Sequence, residues 1–347
     1  MLVRFPFTDF SASKKRPQSS IEKVSASYDS MTVENTFFER YPELHHYTSW
    51  DGLKGIVTLN TLWATHYKYL NDLTEIEHMK EYLGNLVPAR NRRERKSTKK
   101  EIEKTLYEKT FTQFITPYIA SFSTHTNGSE FDRENGVLNQ WKKSTNLDGV
   151  DIGGYGRHGY AIVFDTKLLD ELMGIEFETY CYTQTTFSNI VYNQGLDHFK
   201  MSFEPLIKET AWFIWERILP QDYSRAEIFI NDFIKTTVSF KHSKWNNECE
   251  VRIVASPKCQ WEIEKYISDN DRDDIKALKN RQIKEICHRE KDTPFIKLFE
   301  KLGVDLPIKR IIVAPDENQE HLWRQAVELV ENKIPVFRSK VKLPTIS

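Results

Sequence analysis

The chain has 347 residues, 39% hydrophobic and 13% aromatic, with 29% charged residues and a net charge of -1. That is enough apolar material for a large core, which excludes a disordered chain, and the length suits one elaborated domain or two closely packed ones. The balanced charge leaves no global field to draw the protein to nucleic acid or acidic lipid, so any such binding has to come from a local patch.

Residues 1–35 are polar, with Ser11, Ser13, Lys14, Lys15, Arg16, Pro17, Ser19 and Ser20 clustered. They read as a loosely held arm ahead of a single domain over 36–347. The basic–apolar–small order of a signal peptide is missing, and no apolar run approaches ~18 residues, so a cytoplasmic protein without a membrane span is expected. Residues 44–49 predict a buried strand, Asp51 to about Leu59 a helix capped by Ser49 or Asp51, and Thr61–Thr65 a second strand. Asp72 with Glu75 resembles a capping box opening a helix through about Leu83. Residues 97–118 predict another helix, with Leu106, Phe114 and Ile115 on its apolar side, and Ile119–Ser123 a strand.

Thr124–Arg157 is loop-rich apart from a short helix around Leu138–Lys142. Gly153, Gly154, Gly156 and Gly159 lead into a buried strand, Tyr160–Phe164. Phe177–Tyr182 reads as a strand and 187–239 as mostly helical. Val251–Ala255 and Ile308–Ala314 read as strands, Gln319–Asn332 as a helix and Pro335–Val341 as a closing strand. Strands and helices mix without regular alternation, which favours an α+β fold over a doubly wound sheet.

Three short segments carry candidate chemistry. His46-Tyr47-Thr48-Ser49 puts an imidazole and two hydroxyls where a strand hands over to a helix, an arrangement suited to holding a ribose or to capping the helix. In the tandem His45-His46 only one ring can face a given side of the strand. Ser121-Phe122-Ser123 sets two hydroxyls on one strand face, either orienting a ligand or bonding backbone at the edge of the core. Glu248-Cys249-Glu250-Val251-Arg252 sets two carboxylates two apart, which on a strand puts both on one face. Such a pair either steadies a cationic transition state or is a solvated strand entry with Arg252 as partner.

Arg90, Arg92, Arg93, Arg95, Lys96, Lys99, Lys100 and Lys104 form a basic run. It reads as a solvated helix face or as a patch for RNA or an acidic partner, and no aromatic interleaves it for base stacking. Asn71, Asp72 and Glu75 suit a helix cap. Gly153-Gly154-Tyr155-Gly156 lacks the Lys-Ser/Thr of a phosphate loop and reads as a hairpin or lid with Trp141 at its base. Cys181, Cys249, Cys259 and Cys287 form no Cys-x-x-Cys pair and no zinc-like spacing, and no His-Glu-x-x-His occurs. Reduced, mostly packed thiols and no metal are expected.

In order along the chain, His46-Tyr47-Thr48-Ser49, Asn71-Asp72-Leu73-Thr74-Glu75, Ser121-Phe122-Ser123, Gln140-Trp141, Gly159–Asp165 and Glu248–Ile253 resemble the pattern of a bacterial protein family of the DUF2971 type, over roughly residues 40–315. That family in turn is similar to the ADP-ribosyltransferase superfamily. The resemblance implies an α+β fold built as a split β-sandwich with helical insertions at about 72–118 and 187–239, gripping NAD as substrate with no metal. It implies His46 on the adenosine ribose and Tyr47 supplying backbone contacts to the nicotinamide amide. Ser121 or Ser123 would orient the nicotinamide ribose, Glu250 would stabilise the oxocarbenium and Glu248 would direct the acceptor. Tyr67 or Tyr155 is expected to stack on nicotinamide. Tyr47 stands where the superfamily has Gly, and Phe122 where it has Thr. The activity implied is transfer of ADP-ribose to RNA or protein by a defence or toxin–antitoxin toxin with an antitoxin partner. An NAD glycohydrolase and a non-catalytic nucleotide- or RNA-binding module are the alternatives.

Overall fold

The computed structural model describes residues 37–70, 74–87, 92–101, 116–125, 128–141, 159–213, 236–258, 263, 280–289 and 292–342. The expected arm, the Asn71-Asp72 turn, the Gly153–Gly156 segment and Tyr155 lie outside them. A compact unit runs from Phe37 to Ser347.

Among the described residues ten strands form one sheet: β1 Glu43–Thr48, β2 Leu62–His66, β3 Tyr118–Ser123, β4 Tyr160–Asp165 and β5 Tyr182–Asn189, then β8 Glu250–Pro257, β9 Cys287–Arg289, β10 Thr293–Leu298, β11 Ile308–Val313 and β12 Val336–Arg338. Two short parallel strands, β6 Val191–Asn193 and β7 Phe240–His242, form a separate ladder. The large sheet is antiparallel except where β12 joins β11. The fold is therefore α+β with a mostly antiparallel sheet.

Directly paired residues of antiparallel strands share a face. On one face Leu44, Phe122, Phe164, Val251 and Ile253 build the main core with Leu53 and Ile56 of the helix Trp50–Leu59. Leu169, Leu172 and Met173 of the helix Thr166–Thr179 and Ala326 and Val330 of the helix Gln319–Val330 complete it. Each fully buried Leu or Phe there contributes roughly 1.5–3 kcal/mol. The opposite face is divided. At one end Met79, Leu83, Phe199 and Phe203 cover Ile119 and Val254. At the other Trp141 covers Ala161, Val163 and Ile312. Between these apolar patches runs a buried polar strip that contains His45, Ser123, Glu250 and Arg252.

Ser49 is the cap of the first long helix, accepting from Gly52 N–H at 3.3 Å. A capping box forms at Ser129 and Asp132. Gly136 takes φ +74°, and a Cβ there would run into the Trp141 indole, so glycine is required on both counts.

Two expectations are corrected. Phe177–Thr179 is helical, not strand: Asp165 caps the helix that contains it, and Leu169, Leu172, Met173 and Glu176 recur at helical spacing on its buried side. The stretch 187–239 is not helical from its start, because β5 and β6 occupy its first residues before the helices Leu196–Ser202 and Glu204–Phe213. The described helix of the basic run, Arg92–Glu101, begins earlier than expected, and 102–115 lie outside the described residues.

Candidate functional site where the sheet splits

β8 pairs with β3 along its whole length, Tyr118 to Ser123. The other edge of β3 is shared: β2 takes Tyr118 and Ile119, and β1 takes Ser123. The two neighbours part over Ala120–Phe122, and Ser121 is exposed at that point. A diverging ladder leaves backbone acceptors without strand partners. His46 meets one of them, its Nδ1–H donating to the Ser121 carbonyl at 3.0 Å. The pleat puts the His46 ring beside Phe122, with centroids 5.7 Å apart, and so on the opposite face from Glu250.

Tyr47 turns the other way. Its hydroxyl donates to His125 Nε2 at 2.9 Å and accepts from Val137 N–H at 3.1 Å, and its ring packs edge-on against Trp141. The ring therefore leaves the split clear. Burial pushes the Tyr47 phenol up, as it does the Tyr192 phenol. Phe122 is buried in the main core and does not obstruct either. Thr48 leans on Gly52 so closely that a Cβ at Gly52 would collide with its hydroxyl.

His45 lies in the polar strip, stacked on His125 with centroids 4.1 Å apart. Among the described residues, neither ring nitrogen of this fully buried histidine has a hydrogen-bond partner. His125 donates from Nδ1 to the Asp132 carbonyl at 3.0 Å. Burial holds His125 down at about 4 and His45 well below its ordinary value. Both are neutral when folded, while an unfolded histidine titrates near about 6.5. The unfolded chain thus binds more protons below that pH, so their stabilisation is complete above about 6.5 and is lost as pH falls toward 4. His125 alone accounts for about 3 kcal/mol at pH 4. Glu43 and Glu250, both held at about 2, stay ionised across that window. Urea denaturation between pH 7 and 4 is expected to show this loss, and His45→Phe to reduce it; an unchanged pH dependence in His45→Phe would remove His45 as a source.

The carboxylate pair sits where β8 begins. Cys249 is left-handed, with φ 44°, and Glu248 ends a 3-10 segment, Ser243–Glu248. The expected strand spacing of the two glutamates is thus corrected: a turn, not a pleat, separates them. They converge because both reach one ammonium. Lys241 Nζ donates to Glu248 Oε2 at 2.6 Å and to Glu250 Oε2 at 2.7 Å. Arg252 Nε donates to Glu250 Oε1 at 2.8 Å, and Glu250 N–H donates to the Tyr192 hydroxyl at 2.8 Å. Ser123, expected to touch ligand, is buried, and its hydroxyl donates to the Glu248 carbonyl at 2.6 Å. It clamps the turn that carries the carboxylates.

Environment divides the pair. Glu250 is only 7% exposed. Burial pushes its carboxyl up, but Arg252 and Lys241 outweigh this and hold it at about 2. Glu248, its side chain 29% exposed, is raised by burial and by the Glu250 charge against the pull of Lys241. The two carboxylates thus differ in environment, one paired on both oxygens and enclosed, the other partly solvated on a single cation.

Tyr67 is corrected. It is buried in the second core cluster with its ring stacked on His66, and offers no free face for nicotinamide. The residues that sequence reasoning missed are Lys241, Tyr192 and His125. Only His125 had a signal, two residues beyond the Ser121-Phe122-Ser123 segment. Arg92, Arg93, Lys96, Lys99 and Lys100 are exposed along their helix. Among the described residues no cluster of His, Cys, Asp and Glu could hold a metal, and no helix is long and apolar enough to cross a membrane. No protein-family model, curated protein sequence or solved structure matches the chain.

Proposed function

We propose that the protein is a cytoplasmic ADP-ribosyltransferase with an ADP-ribosyltransferase-like split β-sandwich, using NAD to modify RNA or protein. One observation carries this reading: segments 44–49, 121–123 and 248–252 meet on adjacent strands β1, β3 and β8, at the split in the sheet. Exposed Ser121, on the face of Glu250, offers a hydroxyl for the nicotinamide ribose, and half-buried His46, on the opposite face, offers an imidazole for the adenosine ribose. The Tyr47 backbone runs along the split with its ring turned away, and Thr48 closes the strand. In the reaction the bond from the ribose carbon to the nicotinamide nitrogen breaks, and nicotinamide leaves with the electron pair. The acceptor hydroxyl attacks that carbon, and Glu248 takes its proton. Glu250 supplies fixed negative charge near the oxocarbenium, and Ser123 is a positioning residue. A toxin role in bacterial defence, with an antitoxin partner, follows from the same resemblance.

The test is incubation with radiolabelled NAD and a bacterial lysate, treated with RNase or protease. Label retained on RNA or protein is the expected result. Free ADP-ribose alone identifies a glycohydrolase, and neither label nor nicotinamide release overturns the proposal. The pairing of both Glu250 oxygens with cations favours a second reading, a non-catalytic nucleotide-binding module, which NAD binding without turnover would support.

A further inference from the structure

Lys241 comes from outside every motif of the sequence. The parallel ladder of β6 and β7 aligns it with Tyr192, and both side chains descend onto the start of β8. One ammonium serves two acids there, at 2.6 Å from Glu248 and 2.7 Å from Glu250. The two acids do not share it equally. Glu250 has a second cation, Arg252, which is itself tied by Nη1 to the Val238 carbonyl at 2.6 Å. Among the described residues Lys241 is the one cation in hydrogen-bond contact with the Glu248 carboxylate, Arg252 acting on it only at longer range. Around the pair stand Tyr192 from β6, Cys249 and Arg252 from β8.

We propose that Lys241 is a positioning residue whose single ammonium, bridging both carboxylates, assigns Glu250 to fixed charge and Glu248 to proton transfer. The inference rests on the transferase reading. The physical reason is the repulsion of like charges a few ångströms apart: without an intervening cation, the second of two such carboxylates holds its proton to higher pH. Because Arg252 still holds Glu250 ionised when Lys241 is removed, the cost falls on Glu248. It then holds its proton to higher pH and is a base only above that shifted midpoint. The bridge also fixes the distance between the two carboxylates.

The experiment uses the full chain with 13C-labelled glutamate, following the Glu248 and Glu250 carboxyl carbons by NMR as pH is varied, in wild type, Lys241→Met and Lys241→Arg. In wild type the two are expected to titrate separately, Glu250 last to protonate. In Lys241→Met the Glu248 midpoint is expected to move up by about one unit or more, and in Lys241→Arg to stay near wild type. The acid limb of kcat for nicotinamide release should move with it, with KM changed less than about threefold and Lys241→Arg restoring the limb. A purely structural lysine would lower stability and leave the acid limb of kcat where it is. Should Lys241→Met not fold, Lys241→Gln removes the charge while keeping a donor. An unmoved Glu248 midpoint in the folded uncharged variant overturns the inference. A wild type that releases no nicotinamide overturns the transferase reading, and the carboxyl titration still decides whether Lys241 governs the pair.

Discussion

Replacing Glu176 by Leu is expected to lower the unfolding free energy by about 3–5 kcal/mol, the cost of leaving a buried charge without its partner. Glu176 is fully buried. Its Oε1 forms an ion pair with Lys284 Nζ at 2.6 Å and accepts from the Tyr182 hydroxyl at 2.6 Å, and its Oε2 accepts from Phe299 N–H at 3.1 Å. Lys284 is equally enclosed, its ammonium 3.8 Å from the centre of the Tyr180 ring. Burial pushes the lysine down and Glu176 pulls it back up. The pair joins the helix Thr166–Thr179 to the segment before β9 and to the turn after β10, three regions far apart in sequence. Removing one charge strands the other, whereas removing both leaves an apolar site. Glu176→Leu combined with Lys284→Met should therefore recover most of the loss. Urea denaturation of the two single variants and the double variant decides this. A Glu176→Leu protein within about 1 kcal/mol of wild type would show that the pair contributes little to stability.

The second large effect separates the two glutamates of the candidate site. Glu248→Gln is expected to reduce transfer about 10²- to 10⁴-fold, the range for loss of a general base. Its unfolding free energy should change by less than about 1 kcal/mol, because the side chain is partly solvated and shares one cation. Glu250→Gln should also abolish transfer, but it is not structurally silent. It removes the counter-charge of buried Arg252, which makes a loss of about 3 kcal/mol the expected result. Activity of the Glu250 variant is therefore interpretable only where circular dichroism shows it folded, and Glu248→Gln is the cleaner probe of chemistry. Wild-type nicotinamide release in folded Glu248→Gln would remove Glu248 from the reaction.

Features whose cause is local were legible in the residues. β1, β3, β4 and β11, the helix Gln319–Val330 and the Ser49 cap follow from apolar runs, period and side-chain capping within a few residues of each other. The helix containing Phe177 was missed because its aromatic C-terminal end imitates a strand when read apart from Leu169, Leu172 and Met173. Within the candidate site, the chemical types at His46, Ser121, Ser123, Glu248 and Glu250 were visible, but their orientations were not. A left-handed Cys249 replaces the pleat between the glutamates, Ser123 is spent on a backbone carbonyl, and Tyr67 is absorbed into a core.

Periodicity and capping over short spans were enough to place β1 to β4, β8, β11 and β12 and the residue types at their ends, but not β5, β6, β7, β9 or β10. Only the tertiary structure decided that β1 and β2 share one edge of β3, so that the sheet splits at Ser121. It also decided that Lys241 reaches both glutamates and that Lys284 reaches Glu176. Strand register and the meeting of charges distant in sequence are set by how whole faces pack, and short-range patterning carries no information about that.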